Sequence, residues 1–197
     1  MKKSAFLSAL SIGVMSISMA FADPAAVTQV RENAAQVLKI LKQANGKNNA
    51  QIRQQAETYA TPYFDFDRMT VLAIGNPWQQ ANTAQRKALV EGFKNMMRSN
   101  YAEVMLTYKN AKVEVKDKPV VKGSSVEVKT VLSLPNGKTV NATFVTHKKG
   151  SRFLVYDVQV EGGSLVSTYR GQFRDIVRKQ GIDGLIKHLN TPGAGKK

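Results

Sequence analysis

The sequence contains no cysteine, only two histidines and, beyond its first 22 residues, no hydrophobic run long enough to cross a bilayer. Without cysteine there is no disulfide, no thiol nucleophile and no Cys-zinc site, so the fold has to hold by packing alone. His147 and His188 have no carboxylate near them in sequence, which leaves little material for acid–base catalysis. Acidic residues are also scarce: 14 Asp and Glu against 29 Lys and Arg give a net charge of +15. No repeat and no long linker interrupts the 197 residues, a length that suits one domain with a sizeable core.

What is present begins with a leader. Met1-Lys2-Lys3 supplies a basic start, "AFLSALSIGVMSISMAF" an apolar run and Ala20-Phe21-Ala22 a small-x-small cleavage signal, so residues 1–22 read as a secretory signal peptide. The run of about 17 residues, interrupted by serines and Gly13, falls short of the ~20 that a spanning helix needs. Residues 23–190 are expected to form a single soluble, exported domain, and 191–197 a flexible polar tail. Without Lys2 and Lys3 the mature charge is +13, which favours anionic partners. The cations are scattered from Arg31 to Lys197 with no nucleic-acid motif among them. An anionic membrane face or an acidic protein surface fits them better; a charge that serves solubility alone is the plain alternative.

Hydrophobic periodicity changes once along the chain. Val27, Val30, Ala34, Val37, Leu38 and Leu41 recur at helical spacing until Asn45-Gly46, and Ile52, Ala56 and Tyr59 continue that period until Pro62. "FDFDRMTVLAIGNPW" predicts a short helix closed by Gly75. Thr83 is the expected N-cap of a long helix whose stripe includes Leu89, Val90, Phe93, Met96, Met97, Tyr101, Val104 and Met105. Such a Met- and aromatic-rich stripe suits ordinary core, and equally a wall around a flexible apolar ligand.

From Lys112 the period becomes two. Val113 and Val115, then Val126, Val128, Leu132 and Leu134, then Val140, Ala142 and Phe144 mark strands, with a tight primed turn expected at Asn136-Gly137. A second hairpin is expected at Lys148-Lys149-Gly150-Ser151, followed by a strand with Leu154, Tyr156, Val158 and Val160 inward and Asp157 and Gln159 outward. Helix then resumes through Val166, Tyr169, Phe173, Ile176 and Val177, with a shorter one over 182–189. Helices, an antiparallel meander and helices again define an α+β domain.

Catalytic candidates are few. Asp65 and Asp67, two residues apart without further ligands, fall short of a calcium loop and read as acids at a helix N-terminus, where the macrodipole favours them. Ser164 lacks the second glycine of a nucleophile elbow. Gly162 and Gly163 allow the strand-to-helix turn, and Ser164 is placed to cap the helix, whose free N–H groups are also open to an anion. No catalytic or metal residue is assigned.

Two stretches, "YFDFDRMTVLAIGNPW" at 63–78 and "YDVQVEGGSLVSTYRGQF" at 156–173, closely resemble the paired signatures of the toluene-tolerance family of periplasmic phospholipid-binding proteins. Gly163 is a mild departure from that pattern and bears on local turn geometry only. The resemblance implies an NTF2-like α+β fold whose curved antiparallel sheet and helices enclose an apolar cavity for acyl chains, with the headgroup at the mouth and phospholipid as cargo rather than any cofactor. It also implies transport between an outer-membrane lipoprotein of the MlaA type with its porin and an inner-membrane ABC transporter with an MCE subunit of the MlaD type, in maintenance of outer-membrane lipid asymmetry. The family signatures assign no individual lipid contacts. The pattern alone nominates Val126, Val128, Leu132, Leu134, Val140, Phe144, Tyr156, Val158 and Val160 from strands, and Phe93, Met97 and Tyr101 from the long helix. Arg170, Arg174 and Arg178, four apart, form a helical ridge that suits docking, or a solvated face with Asp175 and Lys179 paired beside it. An exported enzyme acting on a small apolar substrate and a protein-binding envelope adaptor are the competing readings.

Overall fold

The computed structural model describes residues 24–194; the expected signal peptide and the last three residues of the tail lie outside them. Helix α1 (Pro24–Leu41) and helix α2 (Asn49–Ala60) follow the expected period, and α2 passes into a 3-10 turn at Thr61–Tyr63 where Pro62 breaks it. Ile40, Leu41, Ile52 and Ala56 from the two helices and Ala44 from the turn between them form one small cluster. Helix α3 (Phe66–Ile74) starts at Asp65, whose side chain accepts from the Arg68 N–H at 3.0 Å, and ends at Gly75 with φ of 70°. Helix α4 (Thr83–Thr107) is capped by Asn82, not by Thr83 as the sequence suggested. Asn82 Oδ1 accepts from the Gln85 N–H at 2.9 Å and Gln85 Oε1 accepts from the Asn82 N–H at 3.0 Å. That reciprocal box requires an amide or acid three residues after the cap, which places the cap one residue before Thr83.

The sheet comprises β1 (Lys112–Val115), β2 (Val120–Lys122), β3 (Ser125–Ser133), β4 (Thr139–Lys149), β5 (Arg152–Val160) and β6 (Gly163–Ser164). All named pairings are antiparallel, in the order β1-β3-β4-β5-β6, with β2 also on β3. The β3–β4 turn differs from the expected primed form. Gly137 N–H donates to Leu134 O at 3.0 Å, Leu134 N–H to Lys138 O at 2.8 Å, and only Gly137, not Asn136, has positive φ. Pro135 holds φ near −65°, which fits the second position of a type I turn and excludes a turn needing two positive φ values; the result is a three-residue loop closed by a left-handed glycine.

A register shift between Val145 and Thr146 sets Val145 against Asp157 but Thr146 against Val155, so Tyr156 is the extra residue of a β-bulge. The expected single inward row of Leu154, Tyr156, Val158 and Val160 is therefore split. Cross-strand partners share a face, so Val158 and Val160 lie with Phe144 and Ala142, whereas Leu154 lies with His147 on the opposite face. A count of alternating residues cannot register one inserted residue.

Helix α1 covers one end of the first face: Ala26, Val27 and Val30 pack with Val115, Val126, Val128 and Phe153. Gln29 ties the contact, accepting from the Phe153 N–H at 3.0 Å and donating to the Phe153 carbonyl. The opposite face meets α3 and helix α5 (Leu165–Leu189), which with α4 form the largest cluster, around Met69, Leu89, Phe93, Val166, Tyr169, Phe173 and Leu185. Ser164 caps α5 as expected, accepting from the Ser167 N–H at 3.0 Å. Asp157 Oδ1 accepts the Val166 N–H at 3.1 Å, joining β5 to the same helix start. Gly181, at φ 70° inside α5, separates the two expected C-terminal helices. The tail was expected to fray, yet it is docked as far as Ala194, which is buried and accepts from Asn100 Nδ2 at 2.8 Å.

Candidate functional site

The twelve apolar positions nominated from the pattern fall into distinct environments. Phe93, Met97 and Tyr101 belong to the helical cluster; Phe93 is fully buried and meets Tyr169 and Phe173 edge-on, with centroids 5.3 Å away in each case. Burial, reinforced by the Tyr169 hydroxyl, pushes the Tyr101 phenol well above its ordinary value. Val126, Val128 and Phe144 pack with α1. Tyr156, displaced by the bulge, faces away from them: its hydroxyl is 2.6 Å from Ser125 Oγ, and the Arg68 guanidinium sits 3.9 Å from its ring centroid.

The remaining positions come together on one half of the first sheet face. Pairing aligns Val128, Phe144 and Val158 in one row, Val115, Thr130, Ala142 and Val160 in the next, and Val113, Leu132 and Val140 in the third. Leu132, Val140 and Val158 are half-buried, Val160 is 41% exposed, and Leu134 lies half-buried just beyond the end of β3. Among the described residues, Leu132, Val140, Ala142 and Val158 join none of the three packed clusters. The sheet thus has an apolar half-face that lies outside the α1 cluster, with Thr130 and Ala142 buried within it. Thr130, which is buried at the centre of it, was not nominated; the period of two places it between Val128 and Leu132, but a polar residue does not register in a hydrophobic count.

A different kind of site lies on the opposite face. A cleft of about 280 Å³ between α3, α4 and the β4–β5 hairpin is lined by residues including Phe64, Asp65, Phe66, Glu91, Lys149 and Leu154, and by none of the nominated positions. His147, judged from sequence to lack a carboxylate, has Nε2 2.9 Å from Asp65 Oδ2, and Lys149 Nζ lies 3.5 Å from the same oxygen. Burial pushes the Asp65 carboxyl up, but the Arg68 N–H, the His147 ring and the Lys149 ammonium outweigh it and hold the group below the ordinary aspartate value. The carboxylate is thereby committed to capping and pairing. The hydroxyl that lines this cleft, that of Thr61, donates to the Glu57 carbonyl at 2.6 Å, so neither group is arranged as an activated nucleophile or base. No group of three or more His, Cys, Asp or Glu able to hold a metal occurs among the described residues.

Arg170, Arg174 and Arg178 are all exposed along α5. Asp175 pairs with Arg178 at 3.4 Å and reaches Arg174 at 4.0 Å, in place of the expected Lys179. Arg170 lies against the α3 C-terminus: a Cβ added at Gly75 would stand 3.3 Å from its Nε and Nη2. No helix among the described residues is long and apolar enough to cross a membrane.

A curved antiparallel sheet with helices on both faces is the α+β architecture of the NTF2-like class. Within it the chain belongs to the MlaC family, whose model, described as MlaC protein, matches residues 31–191. Its backbone resembles that of the phospholipid-binding protein from Ralstonia solanacearum, solved in complex with a phospholipid, with a TM-score of 0.71 and 28% identity over 84% of this chain and 94% of that one. It is also 23% identical over 132 residues to the intermembrane phospholipid transport system binding protein MlaC of Haemophilus influenzae; the match covers 65% of this chain and 62% of that relative, less than two thirds of its length.

Proposed function

We propose that this chain is a periplasmic phospholipid carrier, not an enzyme, that holds acyl chains against the free half of the β3–β4–β5 face and passes lipid between an outer-membrane lipoprotein–porin complex and an inner-membrane MCE/ABC transporter. The observation that carries the reading is the apolar patch of Leu132, Val140, Ala142 and Val158, half-buried or buried yet outside every packed cluster, in a chain similar to a protein solved with phospholipid bound. A carrier is needed on energetic grounds. Two acyl chains hold about 30 methylenes at roughly 0.8 kcal/mol each, so exposing them to water costs on the order of 24 kcal/mol and free diffusion of the lipid is negligible. An apolar wall with few polar contacts offsets most of that cost for chains of varied length while leaving the lipid transferable.

Mass spectrometry of solvent extracts from purified protein tests the reading, with phospholipid near one per protein expected. Leu132→Trp and Val140→Trp are expected to reduce that lipid while far-ultraviolet circular dichroism stays native. Wild-type protein that carries no phospholipid and acquires none from vesicles would overturn it. Export by the leader is part of the same proposal: the mature protein begins at Asp23, and an intact Met1 terminus in membrane fractions would contradict it.

A further inference from the structure

We infer that Thr130 donates a hydrogen bond to an ester carbonyl of a bound diacyl lipid and so selects for ester-linked lipids at the junction between glycerol and chains. The inference rests on the carrier reading and deepens it. Thr130 is only 2% exposed, and its Oγ1 is one of two buried side-chain polar atoms that lack a hydrogen-bond partner among the described residues. A buried hydroxyl without a partner costs about 1–3 kcal/mol, so a strand position that keeps one calls for a reason. The same sheet face shows the ordinary solution: Thr146, equally buried, donates from Oγ1 to the Val126 carbonyl at 2.9 Å. Thr130 makes no such bond.

Its surroundings define what it can recognise. The pairing partners of Thr130 are Val115 and Ala142, and Val128 and Leu132 flank it on the same face of β3. Thr130 and Ala142 are both small and lie in a row between two rows of bulkier side chains, Val128–Phe144–Val158 and Leu132–Val140, at the centre of the proposed lipid face. The side chains of these neighbours are uncharged, and the Arg31 guanidinium that reaches the Val115 carbonyl at 3.3 Å is paired with Asp117 at 2.6 Å, so a phosphate or a carboxylate would enter without a free counter-charge, at prohibitive desolvation cost. Acyl methylenes offer no acceptor. The ester carbonyl is the one uncharged acceptor in a diacyl phospholipid that lies directly beside the chains, and a lone hydroxyl in an apolar wall is matched to it. Polar residues that are few but placed in an otherwise apolar pocket are what fix a ligand's depth and orientation.

The test loads purified mature protein from vesicles holding equal amounts of a diester phosphatidylglycerol and its diether analogue with the same chains and headgroup, and quantifies both in the extracted protein. Wild type is expected to favour the diester about fivefold, the ratio that corresponds to one neutral hydrogen bond of about 1 kcal/mol. Thr130→Val, which keeps the shape and removes the hydroxyl, is expected to bring the ratio close to one, and Thr130→Ser to restore the preference. A wild-type ratio near one, or the same ester preference in Thr130→Val, overturns the inference while leaving the carrier reading intact. Failure of wild type to take up either lipid overturns both. The wild-type comparison and the serine variant decide the matter even where Thr130→Val does not fold.

Discussion

His147 Nε2 lies 2.9 Å from Asp65 Oδ2 although 82 positions separate the two residues, and the contact pins β4 to the first turn of α3. Asp65 sits 6% exposed at the side chain, caps α3 and is approached by Lys149. Because its folded pKa is lowered, its contribution to stability is fully present above the unfolded value of about 3.9 and is lost as pH falls through the folded value. Asp65→Asn keeps a side chain able to cap but removes the charge. It is expected to lower stability at pH 7 by about 1–3 kcal/mol, the range for a buried hydrogen bond to a charged group, with the difference from wild type shrinking below pH ~4. Urea titrations across that pH range measure it; a constant difference would contradict the assignment.

Gly92 is where α4 and α5 approach most closely through a glycine, since a Cβ there would stand 2.9 Å from Leu189 Cβ. Helix propensity alone predicts that Gly92→Ala stabilises by about 1 kcal/mol. Overpacking a fixed crossing costs about 1–3 kcal/mol, so net destabilisation is expected, read as a lower urea midpoint.

Val128 is fully buried under α1, whereas Leu132 and Val140 on the same face join no cluster. Val128→Trp is therefore expected to lower the thermal midpoint by overpacking, and Leu132→Trp to leave it nearly unchanged while lipid content falls. Equal thermal effects would show that the face is packed alike throughout.

The arginine ridge of α5 is testable separately from the lipid face. Replacing Arg170, Arg174 and Arg178 by glutamine is expected to slow association with the proposed inner-membrane partner and to flatten its salt dependence, since such attraction is screened over roughly 8–10 Å. Bound lipid is expected to stay. Association rates equal to wild type at low and high salt in surface plasmon resonance would remove the ridge from the docking surface. The Asp175 pairs with Arg174 and Arg178 are exposed, so their loss is expected to change stability by less than about 1 kcal/mol.

Local rules by themselves determined much of this protein. The helical period of Val27, Val30 and Leu41, the stop at Pro62, the Gly75 terminus, the Ser164 cap and the alternation of Val126, Val128 and Leu132 were legible because each depends on residues within a few positions. The cap at Asn82 and the type I turn at Pro135 are equally local, but they depend on Gln85 three residues beyond the cap and on Pro135 before the Asn136-Gly137 pair, not on Thr83 or the Asn-Gly pair alone. The tertiary structure alone decided which apolar residues are core. Phe93 and Val128 are packed by helices brought from distant parts of the chain, while Leu132 and Val140 continue the same hydrophobic pattern but stay half-buried outside the packed clusters, because α1 packs on only one end of the sheet. The bulge at Tyr156 and the meeting of His147 with Asp65 belong to the same category. An inserted residue reverses which side chains face inward, and a hydrogen bond across 82 positions forms only after strand register and helix placement are set; neither leaves a trace in the spacing of nearby residues.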